Sequence, residues 1–175
     1  MSFLPDGIAF AHVAGGRAPR LLNCGFVACE PDQRTETLAE LAKKHRLAKV
    51  PCHHVLETGT YQLLQVDAPD VPEDEVRAAL RWHVKDLIEF HIDDAVLDVF
   101  DLPPEAQRGG SNTLFVVAAR APLVRERIQI IEDAGLDLQV IDITELALRN
   151  VTHLLPEDDA GVLFVYLGQG LGEIV

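Results

Sequence analysis

Serine and cysteine are scarce in this chain, basic residues are outnumbered, and long apolar runs do not occur. Ser2 and Ser111 are the only serines, and neither sits in a strand-turn-helix elbow, which excludes a serine nucleophile of that kind. Cys24, Cys29 and Cys52 are odd in number and follow no metal-binding or disulfide-framework spacing, so they read as reduced, mostly buried cysteines of a cytoplasmic protein. No stretch reaches the roughly 18 apolar residues that span a bilayer. The start, Met1-Ser2-Phe3-Leu4 and then Pro5-Asp6-Gly7, has neither the basic opening nor the apolar run of a signal peptide. Fifteen Lys and Arg face 28 Asp and Glu, a formal charge of −13. That balance argues against nucleic acid, which recruits clustered cations, and against docking on an anionic membrane by charge alone. What remains is ordinary for a folded protein: 48% hydrophobic and 25% charged residues over 175 positions, enough for one domain or two small subdomains.

Periodicity predicts the order β-β-α-β-β-α-β-β-α-β-α-β-β. Gly7–Val13 and Leu21–Cys29 form a hairpin around Ala14-Gly15-Gly16-Arg17, and a helix opening at Pro31-Asp32 turns Leu38, Leu41, Ala42 and His45 to one face. Val50–Glu57 and Thr60–Asp67 read as a second hairpin about Thr58-Gly59. After a helix come the strand Ala95–Asp101, a loop over Pro103–Ser111 read as the most mobile, and the apolar strand Thr113–Ala119, expected to be buried on both faces. The helix Pro122–Ala134 stops at Gly135 as a left-handed cap. A short strand, Leu138–Ile141, precedes a helix that Asp142 and Glu145 open as a capping box and that runs through Leu155. Gly161–Leu167 and Leu171–Val175 then flank Gly168-Gln169-Gly170. The fold class is therefore α/β, and the run from Thr60 to Ile141 has the β-α-β-β-α-β order of a ferredoxin-like subdomain. The expected organisation is a first sheet part over 1–67, an insert over 68–142, and a closing part over 143–175. The apolar run ending at Val175 would leave an open sheet edge, so the expectation is a chain that continues, or a partner or second copy that supplies the next strand.

The most informative stretch is 68–102. Asp70 and Glu73 form a capping box with Pro72 in the first turn, and Val76, Leu80, His83, Val84 and Leu87 repeat at helical spacing, so that stripe must face a core. Trp82 lies off the stripe. It either packs on a second element or lines a groove for a partner, where large aromatics are favoured anchors. Arg77, Arg81 and Lys85 recur every four residues beside it. Pairing with Glu73 and Glu89 along the helix accounts for much of that stripe, and an interaction face for the rest. Asn150 interrupts an otherwise apolar helical face, either satisfying a buried backbone group or receiving a partner's strand. Cys52-His53-His54 alternates across a strand, so at most two of the three could share an ion, and no metal site is assigned. The acid pairs Asp93-Asp94 and Glu157-Asp158-Asp159 read as solvated turns.

Ala79-Leu80-Arg81-Trp82, Lys85-Asp86-Leu87-Ile88-Glu89-Phe90 and Ala95–Asp101 together resemble the PilM-like family, actin-like cytoplasmic components of type IV pilus assembly. Within it the resemblance is to MshI-type members, which serve the mannose-sensitive haemagglutinin (MSHA) pilus. Ile88, Phe90 and Asp98 match the family's helix ending in Ile-x-Phe and its Asp-bearing strand; the opening 5–13 and the helix 145–150 are also similar. The resemblance implies the N-terminal half of an actin-like, ribonuclease H-like fold with an inserted ferredoxin-like subdomain. It further implies a scaffold that holds the short cytoplasmic tail of a single-pass inner-membrane partner between sheet subdomain and insert, among other platform components. Arg77, Arg81, Trp82, Lys85 and Asn150 are the expected contacts.

Nucleotide-binding relatives carry two Asp-x-Gly turns, whose glycines admit phosphate to the backbone and whose carboxylates orient hydrated Mg²⁺. Here only four residues precede Pro5-Asp6-Gly7, so the first strand and its phosphate turn are expected to be missing. The second turn reads Tyr166-Leu167-Gly168 with Gly170 beyond, placing Tyr166 where the resemblance requires Asp. The expectation is no enzyme, no cofactor, and ATP with Mg²⁺ only in a longer family member; the alternative is an actin-like ATPase.

Overall fold

The computed structural model describes residues 1–16, 19–101, 113–156, 162–167 and 172–174. Contacts divide the chain into two compact units, Met1–Thr58 with Ile128–Val175, and Gly59–Arg127. The loop at 103–111 and the glycine turn at 168–170 lie outside the described residues.

The first unit is built on a five-stranded mixed sheet in the order β3-β2-β1-β4-β8. Its strands are β1 (Ser2–Leu4), β2 (Gly7–Ala14), β3 (Arg20–Ala28), β4 (Pro51–Val55) and β8 (Asp137–Asp142). The missing first strand is thus present: Ser2, Phe3 and Leu4 pair antiparallel with β2 through a two-residue turn at Pro5-Asp6, and Ser2 meets Val55 of β4 in parallel. Three residues are too few for alternation to reveal a strand, yet Phe3 is fully buried and anchors it. Phe3 and Ile8 pack with Leu38 and Ala42 of α1 (Arg34–His45) and with Ile131 and Ala134 at the end of α3 (Ala121–Asp133). Gly135 closes α3 at φ 79°, with Leu136 N–H donating to the Ile131 carbonyl, the left-handed cap expected there. Arg34, buried in the first turn of α1, donates to the Leu4 carbonyl at 2.9 Å and stacks over Phe3.

The second expected hairpin does not form. β4 joins the first sheet, whereas β5 (Tyr61–Asp67) pairs with β7 in the other unit. Alternation marks a strand but carries no record of its partner, and Thr58-Gly59 connects two sheets instead of turning one. Unit two holds a three-stranded antiparallel sheet, β5-β7-β6, with β6 at Ala95–Asp101 and β7 at Thr113–Arg120. That order is three-quarters of a ferredoxin-like sheet. The strand that would complete it, β8, pairs with β4 from Pro51↔Asp137 to Val55↔Asp142. The contact boundaries therefore fall at 58/59 and 127/128, beside the expected 67/68 and 142/143. β7 is buried most deeply on one face: Leu114 and Val116 pack with Leu80 and Val84 of α2 (Val76–Val84), while on the other face Phe115 and Val117 are half-buried and Ala119 is buried.

α4 (Thr144–Thr152) and an antiparallel pair, β9 (Val165–Leu167) with β10 (Gly172–Ile174), follow in the first unit. Its N-cap is Ile143, not Asp142, whose carboxylate instead accepts the Ile143 N–H at 2.8 Å. The helix stops short of the expected Leu155; Gly161 lies outside the described residues, and the strand expected there begins at Val165 among the described ones.

Candidate functional site

Three of the stripe residues, Val76, Leu80 and Val84, pack onto the second sheet as their spacing predicts. The helix is shorter than expected at both ends. A 3₁₀ turn over Glu73–Glu75 precedes it, its N-cap is Glu75 instead of Asp70, and no side chain caps it. Pro69 and Pro72 fix φ and lack N–H groups, so the chain winds tightly here first, with Glu75 N–H on the Pro72 carbonyl. At the far end Leu87 and Ile88 both donate to the Val84 carbonyl in a turn. His83 is exposed within the helix itself, and Leu87 is exposed in the turn that follows Val84, correcting their expected place on the core stripe.

Trp82 does not pack against a second element. It is 72% exposed, the most open aromatic among the described residues, and the Lys85 ammonium sits 5.2 Å from its ring centroid. A cation over the ring face is attracted by its quadrupole, worth about 0.5–1 kcal/mol at an exposed site. Two residues of the basic stripe pair across elements. Arg77 donates to Asp98 at 3.1 Å and Arg81 to Asp93 at 3.0 Å. Asp93 is therefore an ion-pair partner, not merely a solvated turn. Both pairs are largely exposed and each contributes at most about 1 kcal/mol. Their main effect is positional: they hold both guanidinium groups on one face of the Trp82 helix, toward Asp98 and Asp93. The two aspartates were missed because i,i+4 carboxylates offered a sufficient local account. Phe90, from the Ile-x-Phe match, lies beneath the Arg120 guanidinium at 4.6 Å.

Asn150 lies in the other unit, exposed near the end of α4, so the role of satisfying a buried backbone group falls away. Tyr166 is in β9 opposite Glu173 of β10; Gly168 and Gly170 lie outside the described residues. In β4, Cys52 is half-buried, His53 exposed and His54 fully buried 4.8 Å from the Phe3 ring, the alternation expected of a strand. Burial pushes the Cys52 thiol up, with Asp137 adding to the rise and the nearby N-terminal amine opposing it. Cys24 is exposed, against the expectation of burial. Among the described residues no three His, Cys, Asp or Glu side chains converge as metal ligands, and no helix is long and apolar enough to cross a membrane.

A mixed sheet with a β-α-β-β unit inserted between two of its parallel strands is the N-terminal half of an actin-like fold. Solved structures share it, among them the following two. The chain in a PilM-PilN type IV pilus biogenesis complex superposes with TM-score 0.78 at 24% identity, covering 94% of this chain and 52% of that one. The cytoplasmic domain of EpsL, an inner-membrane component of the type II secretion system of Vibrio cholerae, gives 0.60 at 17%, covering 81% and 54%. The chain thus spans about half the length of either. Residues 33–169 match the family described as type IV pilus assembly protein PilM, and the chain belongs to that family. No curated protein matches it.

Proposed function

We propose that this chain is part of an MshI-type scaffold of an MSHA pilus assembly platform. It is cytoplasmic, peripheral to the inner membrane, and holds the short cytoplasmic tail of a single-pass membrane partner without catalysing a reaction. The observation that carries the reading is Trp82, held open on α2 by Lys85 and flanked by Arg77 and Arg81 in fixed ion pairs. A large exposed aromatic among arginines has the composition of a binding hot spot. Family membership supports the setting.

Titration of the full-length protein with tails of inner-membrane pilus proteins tests this. Trp82→Ala is expected to weaken tail binding by about 2 kcal/mol or more, roughly 30-fold, with little change in melting temperature. Unchanged affinity for every tail that the wild type binds would refute Trp82 as the anchor.

The presence of β1 gives specific weight to a second reading, an actin-like ATPase, because the strand before the first phosphate turn exists after all. Against it, Tyr166 supplies no carboxylate for Mg²⁺ at the second turn. Calorimetric titration of the full-length protein with Mg·ATP is expected to give no micromolar binding. Micromolar affinity, or measurable phosphate release, would favour the ATPase.

A further inference from the structure

We infer that the outer edge of β3 is a second docking surface, one that receives an extended, acidic segment of a partner protein as an added strand. The surface lies wholly in the first unit and is independent of Trp82. β3 is the terminal strand of its sheet, and no other described strand pairs with its outer side. From Leu21 to Ala28 it carries no charged residue and no proline. Exposed edge strands ordinarily carry such residues to repel other strands. Here Leu21, Leu22 and Phe26 are instead about half exposed, and Asn23–Ala28 runs in unbroken register with β2 beyond a bulge near His12. Beside this edge a groove of about 350 Å³ runs between the strand and α1, with Phe10, Gly25 and Leu41 among its apolar lining and Glu40, Lys44 and His45 on its wall, Lys44 lying toward the cationic end of α1. Gly25 keeps it open: a Cβ there would lie 3.2 Å from the Phe10 ring. A strand laid against β3 would present alternate side chains toward this groove.

Charge selects the occupant. The C-terminal end of α1 is tied to β3 by Asn23 and His45 at 2.8 Å, and it carries Lys43, Lys44, Arg46 and Lys49. All four are exposed and none makes an ion pair among the described residues, in a chain of net charge −13. The α2 arginines, by contrast, are already neutralised by Asp98 and Asp93. The helix dipole favours cations in its last turn. It gives no reason for Arg46 at φ 57° and Lys49 at φ 61°, left-handed positions that glycine or asparagine would occupy without strain. These free cations make a local positive patch that an acidic segment complements.

The test uses the full-length protein and a labelled eight-residue peptide alternating Glu with Val, with an alternating Lys and Val peptide, phosphatidylglycerol vesicles and the protein alone as comparison arms. The acidic peptide is expected to bind, to protect amides of 20–28 from hydrogen exchange, and to weaken as salt rises. Lys44→Glu with Arg46→Glu should cut its affinity about tenfold or more, while circular dichroism confirms the variant's fold. Absence of binding, protection elsewhere than β3, equal binding of the basic peptide, or insensitivity to the double substitution would each overturn the inference. So would occupation of this edge by vesicles or by a second copy.

Discussion

Replacing Gly7 by alanine is expected to destabilise the first unit by about 3 kcal/mol, among the larger single-residue effects available in this chain. Gly7 is buried at the start of β2, opposite Leu4 on one side and Ala28 on the other. A Cβ there would sit 2.2 Å from the Val27 carbonyl oxygen and 2.6 Å from Cζ of Phe26. The Phe26 ring is half exposed and can swing aside. The carbonyl is backbone and cannot, so relief requires β2 and β3 to separate where Phe3 and Ile8 anchor the core. Urea and thermal unfolding followed by far-ultraviolet circular dichroism measure the loss. A change below about 1 kcal/mol would mean that the hairpin accommodates a methyl group by sliding, and that the close approach has no structural weight.

Leu80→Ala should cost the second unit about 3–4 kcal/mol. Leu80 is fully buried between α2 and the sheet, with Val84, Leu114 and Val116 as its buried neighbours. Truncation removes the central side chain from a small core, and two rigid elements cannot collapse far to refill the space. The functional corollary separates two kinds of residue on one helix. Leu80→Ala should lower stability and tail binding together, because it loosens the helix that presents Trp82. Trp82→Ala should lower binding alone. Hydrogen exchange over 59–127 and tail titration of both variants measure the split. Equal thermal losses in the two would place Trp82 in the core energetics, against its 72% exposure.

Where the sequence was readable, strong local periodicity was the reason. The helix Arg34–His45 with Leu38, Leu41 and Ala42 inward, the strand Ala95–Asp101 and the Gly135 cap all follow from residues within one turn or one strand. Long-range choices were not readable. Nothing in Cys52-His53-His54 states that β4 pairs with β8, and nothing in Leu138–Ile141 withholds that strand from the insert's sheet. Ser2-Phe3-Leu4 is too short to announce itself. At the site, the stripe of Val76, Leu80 and Val84 was legible, but His83 is exposed within the helix and Leu87 falls in the turn after Val84. The exposure of Trp82 could not be settled from its helical angle, since that angle does not say what faces it. The cations from Lys43 to Arg46 are contiguous in sequence and could have been noticed. Their lack of counter-ions is visible only in three dimensions.

The pairing of β4 with β8 joins Pro51 to Asp137, 137 − 51 = 86 positions apart, with the whole of the second unit in the connection. Zipping that pair from an unfolded chain closes a long loop before any contact rewards it, which slows folding. If residues 59–127 fold first, the effective loop shrinks to the span of a compact body. The insert then acts as an internal chaperone for the sheet that surrounds it in sequence, and lesions such as Leu80→Ala should delay the burial of Phe3 during refolding.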